Sequence, residues 1–516
     1  MTDTAVPALD LLITGGTVVD GTGEPGRPAD VGIRGGRIAF VGDAAQGAGM
    51  GAARTIDAAG CVVAPGFIDV HTHADFTLES QPTAQSYLRQ GVTTVVTGNC
   101  GNSAFPAPAF GVDFAAYAAR VAAVEPAVHV AALVGHAALR TAVVGADRRP
   151  ASAAEVAEMG ALLDAAARQG AFGLSTGLIY APGSFADPAE VRALAEVAAR
   201  HGLLYATHLR DEGDGLLDAL DEALAVARDT GVRLQVSHLK AMGRANHGKV
   251  REALARIDAT RTAGFDVACD VYPYTASSTL LTSRLPDWAM DGGTERLLTR
   301  LEDRAAYERL AAEIEDGRGR AFYPDGIVLA DLPPGRFTPW LGSSLTDIGA
   351  ELGLSPAATL LEVLRGHQAQ VWIVNHAMDE QDVRTVLGHP LCAVGSDGWE
   401  MSTDCAGSPH PRHFGSFARV LGEYCRDERL LTLPETIRRM TALPAARLGL
   451  TDRGVLADGL AADVTVFDPA LIADKATYTQ PKAYAVGTRA VLVDGVPVLL
   501  DGEPTGARPG RVLRSR

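Results

Sequence analysis

Lysine is scarce in this chain. Its 516 residues include only Lys240, Lys249, Lys475 and Lys482, and Lys plus Arg total 46 against 62 Asp plus Glu. The formal net charge of -16 disfavours nucleic acid and anionic membrane as partners, because both need a basic face. Cysteine is sparse too: Cys61, Cys100, Cys269, Cys392, Cys405 and Cys425 form no close motif. That pattern excludes the disulfide framework of a small secreted protein and fits a reducing compartment. No run of about 18 uncharged apolar residues occurs, so no membrane span is expected. The Met1–Pro7 start lacks a basic stretch followed by an apolar one, so no secretory leader is expected either. The expected location is the cytoplasm and the expected partner a small-molecule substrate.

Hydrophobic residues make up 47% of the chain, enough for a large core. The two ends read alike. "LLITGGTVVDGTG", "DVGIRGGRIAFVGDA" and "RTIDAAGCVVAPG" near the start, and "GVLADGLAADVTVFDP" and "AVLVDGVPVLLDGEP" near the end, alternate apolar residues between Gly-Gly and Asp-Gly turns. The expectation is one β-sandwich built from both termini, residues 1–64 and 446–516. The middle, 65–445, alternates strand-like segments with helix-like ones. The strand-like segments are "VTTVVTG", "HVAALVG", "AFGLSTG", "LLYATHL", "RLQVSHL", "DVACDVYPY", "VWIVNH" and "LCAVGSDG". Ser152 with Glu155 marks a capping box, Asp187-Pro188 a second helix start, and Gly170 and Gly202 helix ends. Such alternation predicts a (β/α)8 TIM-like barrel. Residues 284–345 break the rhythm and read as an insertion in the barrel, either a lid or a surface excursion.

The chemistry-bearing residues sit at strand ends. In "GFIDVHTHADF", His71 and His73 are two apart, so on a strand they point the same way and suit one metal ion. Histidines two apart also occur without metal. Cys100 in "VVTGNCGNSAFP" reads either as a thiolate ligand or as a small residue in a tight turn. His208 and His238 each end an apolar strand, 30 residues apart, about one βα unit. Asp397 in "LCAVGSDGWE" ends what would be the last barrel strand. There a carboxylate beside an activated water serves as a general base, or caps the turn at Gly398. His136 and His376 also lie near strand ends and read as structural. His201 and His247 read as surface residues.

With "GFIDVHTHAD", "GNCG", "GLSTGLIYAPG", "YATHLRDE", "VSHLKAMG", "DVYPYTASST", "GSDG" and "HPRHFGSF", the chain resembles the D-aminoacylases (N-acyl-D-amino-acid deacylases) of the amidohydrolase superfamily. The similarity covers nearly the whole chain. Many binuclear relatives bridge their metals with a carboxylated lysine or a glutamate from the fourth strand. "GAFGLSTGLIY" has neither, which departs from hydantoinases and ureases. The resemblance implies zinc, held firmly by Cys100, His208 and His238, with His71, His73 and Asp397 lining a second, weaker site. It implies Asp397 as the catalytic proton shuttle. It also implies that Arg412, Lys240, Tyr272 and Ser278 recognise the substrate carboxylate, with Tyr180 either polarising the amide carbonyl or packing. The implied activity is hydrolysis of N-acyl-D-amino acids. A dipeptidase acting on C-terminal D-residues, another amide or ester hydrolase, and a non-catalytic scaffold are the rival readings.

Overall fold

The computed structural model describes residues 9–43, 51–107, 111–317 and 320–515. Met1–Pro7, read above for a leader, lies outside the described residues. Eight parallel strands form the central sheet: β1 (Phe67–Asp69), β2 (Val92–Thr97), β3 (His129–Gly135), β4 (Gly173–Gly177), β5 (Leu204–His208), β6 (Arg233–Val236), β7 (Val267–Val271) and β8 (Cys392–Val394). They pair in that order, each beside the next. The seam between β8 and β1 closes just beyond the strand ends. There Thr72 bridges Gly398 in parallel fashion, His73 N donates to Gly398 O (2.8 Å), and Asp397 N donates to His71 O (2.8 Å). Almost every strand residue is buried, as expected of parallel strands covered on both faces.

The helices start and stop where their end residues dictate. Ala153–Gln169 opens on a full capping box between Ser152 and Glu155, and ends at Gly170 with φ 112°. Pro188–Arg200 opens with the Asp187 carboxylate accepting from Glu190 N.

The chain ends share one structure. Five strands from the start and four from the finish form a single nine-stranded sheet, joined where Val464–Phe467 pairs antiparallel with Val62–Pro65. One apolar cluster takes Ile13, Val31 and Ile56 from the first end and Val464, Val466 and Leu492 from the second.

Between β7 and β8 the chain makes a long excursion. Ala276–Leu280, Trp372–His376 and Ile327–Asp331 form a three-stranded antiparallel sheet with Trp372–His376 in the middle. Its helices pack over their own core, including Leu297, Leu310, Phe337, Leu360 and Ile373. The "VWIVNH" segment therefore belongs to this small sheet and not to the barrel. Its residues 373–375 are buried like those of a barrel strand, and periodicity does not say which partner a buried strand pairs with. Among the described residues no helix is long and apolar enough to cross a membrane.

Candidate metal centre

Every residue singled out as a ligand lies at the carboxyl end of a barrel strand, the end that carries function in this architecture. His71 and His73 follow β1, Cys100 follows β2, His208 ends β5, His238 follows β6, and Asp397 follows β8. β5 and β6 are neighbours, so the rings of His208 and His238 meet at 4.4 Å between centroids.

The local backbone explains the Gly-Asn-Cys-Gly sequence. Gly98 has φ +76°, and a Cβ there would lie 2.1 Å from Leu133 O; Gly101 has φ +77°, with a Cβ 2.7 Å from Gly177 N. Only glycine lets this turn lie against β3 and β4. Cys100 itself has φ +52°, and His238 (φ +35°) and Asp397 (φ +51°) share that left-handed region. Three non-glycine residues so placed at one site mark backbone strain sustained by the surrounding structure.

The donor atoms converge. One ligand atom from each of His71, Cys100, His238 and Asp397 lies within 4.8 Å of the others, and all four residues are buried. Cys100 Sγ is 3.3 Å from His71 Nε2 and 3.4 Å from His238 Nε2. Asp397 Oδ1 is 3.1 Å from His73 Nε2 and 3.5 Å from His71 Nε2. His208 stands beside this group, clustering with His238 and Glu212. Among the described residues, neither ring nitrogen of buried His208 makes a hydrogen bond, although Glu212 Oε2 lies 3.3 Å from Nε2. A buried imidazole without a hydrogen bond, beside a thiolate and two more imidazoles, is a donor set suited to zinc, so the residues present fit the ion.

The electrostatics agree. Burial pushes the Cys100 thiol up, but the adjacent His71 and His238 imidazoles overcome this and hold it well below its ordinary value. Burial likewise opposes ionisation of Asp397, and the Arg412 guanidinium, 2.7 Å from its Oδ2, holds the carboxyl well below the usual range. Burial and then the Cys100 charge raise the Tyr180 phenol, which stays protonated.

Two carboxylates that the sequence reading passed over complete the centre. Asp270, in β7, accepts from His238 N (2.8 Å) and lies 3.1 Å from His71 Nδ1. Glu212 lies against Lys240, His238 and His208. Both stood inside quoted motifs, "DVACDVYPY" and "YATHLRDE". A signal was available, because ligating histidines commonly give their second nitrogen to a carboxylate.

A cavity of about 450 Å³ opens over the centre. Cys100, Tyr180, Ser278, Asp397 and Arg412 line it, and Leu285 and Trp372 show that the excursion helps to wall it. Arg412 Nη2 donates to Ser278 O (3.1 Å), and Thr279 Oγ1 donates to the Tyr180 hydroxyl (3.0 Å). Lys240 and Tyr272 line a smaller neighbouring space instead. Lys240 Nζ is taken up by Glu212 Oε1 (2.5 Å) and His238 Nδ1 (2.8 Å). The Tyr272 hydroxyl points to Met378 Sδ (3.9 Å), whereas its ring lies under Lys240 (5.6 Å) and Arg412 (5.0 Å). The Tyr272 ring thus offers cation–π support to both cations. His136 pairs with Glu190 (2.7 Å), and His376 packs on Tyr478, so neither joins the ligand clusters.

The amidohydrolase family pattern matches residues 54–499. The chain belongs to this family. Full-length comparisons place it in the D-aminoacylase branch of these amidohydrolases. N-acyl-D-glutamate deacylase of Alcaligenes xylosoxydans xylosoxydans is 42% identical, covering 98% of this chain and 96% of its own. The crystal structure of N-acyl-D-glutamate deacylase from Bordetella bronchiseptica, complexed with zinc and a phosphonate mimic of the tetrahedral intermediate, superposes with a TM-score of 0.85. It is 41% identical and covers 99% of this chain and 100% of that one. A D-aminoacylase studied for its binuclear metal centre, with one-metal activation and second-metal attenuation, gives a TM-score of 0.82. It is 38% identical, covering 98% of this chain and 100% of that one.

The loop carrying Asp397 is held by a further buried carboxyl. Glu400 accepts from Ser86 Oγ (2.5 Å) and Ser86 N (3.3 Å), and burial pushes its pKa up to about 8. The folded state therefore keeps a proton that the unfolded chain gives up near the ordinary glutamate value. Stability from this position is complete in acid and declines as pH rises toward about 8. The melting temperature of Glu400→Gln, relative to the unsubstituted protein, should climb between pH 5 and pH 8 and then level off. Thermal melts across that range check it, and a flat difference would overturn it.

Proposed function

We propose that this amidohydrolase is a zinc-dependent N-acyl-D-amino-acid deacylase that releases a carboxylic acid and a D-amino acid. The carrying observation is the joining, in one cavity, of a Cys-His metal centre, an ionised Asp397 and the buried Arg412 fork. The named activities of the full-length relatives supply the D-amino-acid class.

Cys100, His208 and His238 would hold the firm zinc, while His71, His73 and Asp397 would line a weaker second site. Zinc, when bound, would supply water activation and carbonyl polarisation. Asp397 accepts the proton of the attacking water on a carboxylate oxygen and returns it to the leaving amide nitrogen. Tyr180 keeps its own proton to donate to the amide oxygen, because Thr279 already donates to its hydroxyl. Arg412, with Ser278 beside it, takes the substrate carboxylate. The Tyr272 ring, 5.0 Å from the Arg412 guanidinium and 5.6 Å from Lys240 Nζ, supports both cations. The excursion acts as the outer wall of the cavity, and we assign the barrel to 65–445 with an insertion that contains 284–345 and extends on either side to the strands Ala276–Leu280 and Trp372–His376. The net charge of -16 disfavours nucleic acid as a partner, and the six free cysteines suit the cytoplasm.

The test is a substrate panel with zinc added. It pairs N-acetyl-D-Glu and N-acetyl-D-Leu with their L enantiomers, and includes L-Xaa-D-Xaa dipeptides. Turnover of an N-acetyl-D-amino acid at least about 100-fold faster than of its enantiomer is expected. Preference for a dipeptide moves the assignment to a dipeptidase, and L preference rejects it.

A further inference from the structure

We propose that Glu212 is the positioning residue of the firm metal site, orienting His208 and His238 together and neutralising Lys240. This rests on the zinc reading above.

Glu212 is i+4 from His208, in the loop after β5, and its side chain is only 4% exposed. Its backbone oxygen accepts from Met242 N (2.7 Å), which ties it to the loop that carries His238 and Lys240. Oε1 lies 3.2 Å from His238 Nδ1, and Oε2 lies 3.3 Å from His208 Nε2. One carboxylate thus faces the imidazoles of two neighbouring strands. A metal on Nε2 of His238 would require the proton on Nδ1, where the Lys240 ammonium cannot accept it and Glu212 Oε1 can; a carboxylate so placed would fix ring orientation and tautomer and make the imidazole a better donor to metal.

Charge supplies the second part of the role. Lys240 Nζ sits 2.8 Å from His238 Nδ1, where a bare ammonium would repel a metal cation on the same ring. Glu212 Oε1, 2.5 Å from that ammonium, cancels it. With that pair in place, a metal held by His238 and the Cys100 thiolate would meet no opposing cation.

The experiment measures zinc affinity of the metal-free full chain by competition with a chromophoric chelator. Glu212→Gln keeps the shape and loses the charge. It should weaken zinc about 10- to 100-fold, with the melting temperature of the zinc-free protein little changed. Adding Lys240→Met should recover part of that loss, and Glu212→Asp should bind zinc more tightly than Glu212→Gln. Unchanged affinity in Glu212→Gln overturns the proposal. So does a loss beyond about a thousandfold, which would make Glu212 a direct ligand. Should the Gln variant fail to fold, Lys240→Met alone decides: affinity equal or tighter supports the proposal, and tenfold weaker binding overturns it. Failure of the unsubstituted protein to bind zinc rejects the metal reading itself, a distinct result.

Discussion

Asp397→Asn should retain its firm zinc and lose about a thousandfold in kcat. The side chain would still accept from His73 and face Arg412, so the pocket keeps its shape. What disappears is a group able to take up a proton and hand it back, a contribution of about 100- to 10,000-fold in proton-transfer catalysis. Cys100, His208 and His238 are untouched, so metal content at the firm site should match that of the unsubstituted protein. Metal analysis and steady-state kinetics on one preparation separate the two effects. A kcat within tenfold of normal would remove Asp397 from the mechanism. Lost zinc would instead make it a primary ligand.

Removing Arg412 should be nearly as damaging, for a different reason. Its guanidinium is 3% exposed, lies 2.7 Å from Asp397 Oδ2, and holds the carboxyl of Asp397 low against burial. Truncating one partner of a buried hydrogen-bonded charge contact costs binding about 2–5 kcal/mol, so losing the contact with the substrate carboxylate should lower kcat/KM about 30- to 5,000-fold. Arg412→Lys should recover only part of it, because an ammonium cannot present two parallel donors to a carboxylate. The sign of the pH effect follows from the same contact. With the cation gone, the Asp397 pKa rises, so the acid limb of kcat/KM should move to higher pH in Arg412→Ala. A carboxamide-capped substrate divides the roles. If Arg412 binds the substrate carboxylate, the capped compound loses less on mutation than the free acid. Equal losses would confine Arg412 to supporting Asp397.

The barrel and the ligand types were legible from sequence because each leaves a local mark. Strands ending in His208 and His238 are apolar runs closed by a residue that an apolar strand does not otherwise need. Cys100 between two glycines announces a turn tight enough to aim a thiol. The partners of these residues were less legible. Asp270 and Glu212 are carboxylates among 62, and nothing along the chain distinguishes one that meets an imidazole across a barrel from one in water. Lys240 and Tyr272 were placed by proximity to His238 and by motif. The carboxylate that meets Lys240 and the ring face that Tyr272 turns toward it depend on long-range contacts, which spacing does not encode. The Trp372–His376 strand illustrates the same limit for fold. Its burial resembles that of a barrel strand, while its pairing with Ala276–Leu280 and Ile327–Asp331 depends on long-range contacts.

The seam has a consequence for the order of events during synthesis. Cys100, His208 and His238 all emerge in the first half of the chain, on strands that need only their sequential neighbours. His73 and Asp397 meet across 324 residues, and closing so long a loop comes late in folding. On the roles proposed above, a ribosome-bound chain would hold its firm metal ligands before it gained its proton carrier, and catalytic competence would arrive only when the last strand docked beside the first. Activity, more than metal content, would then be the marker of a finished molecule.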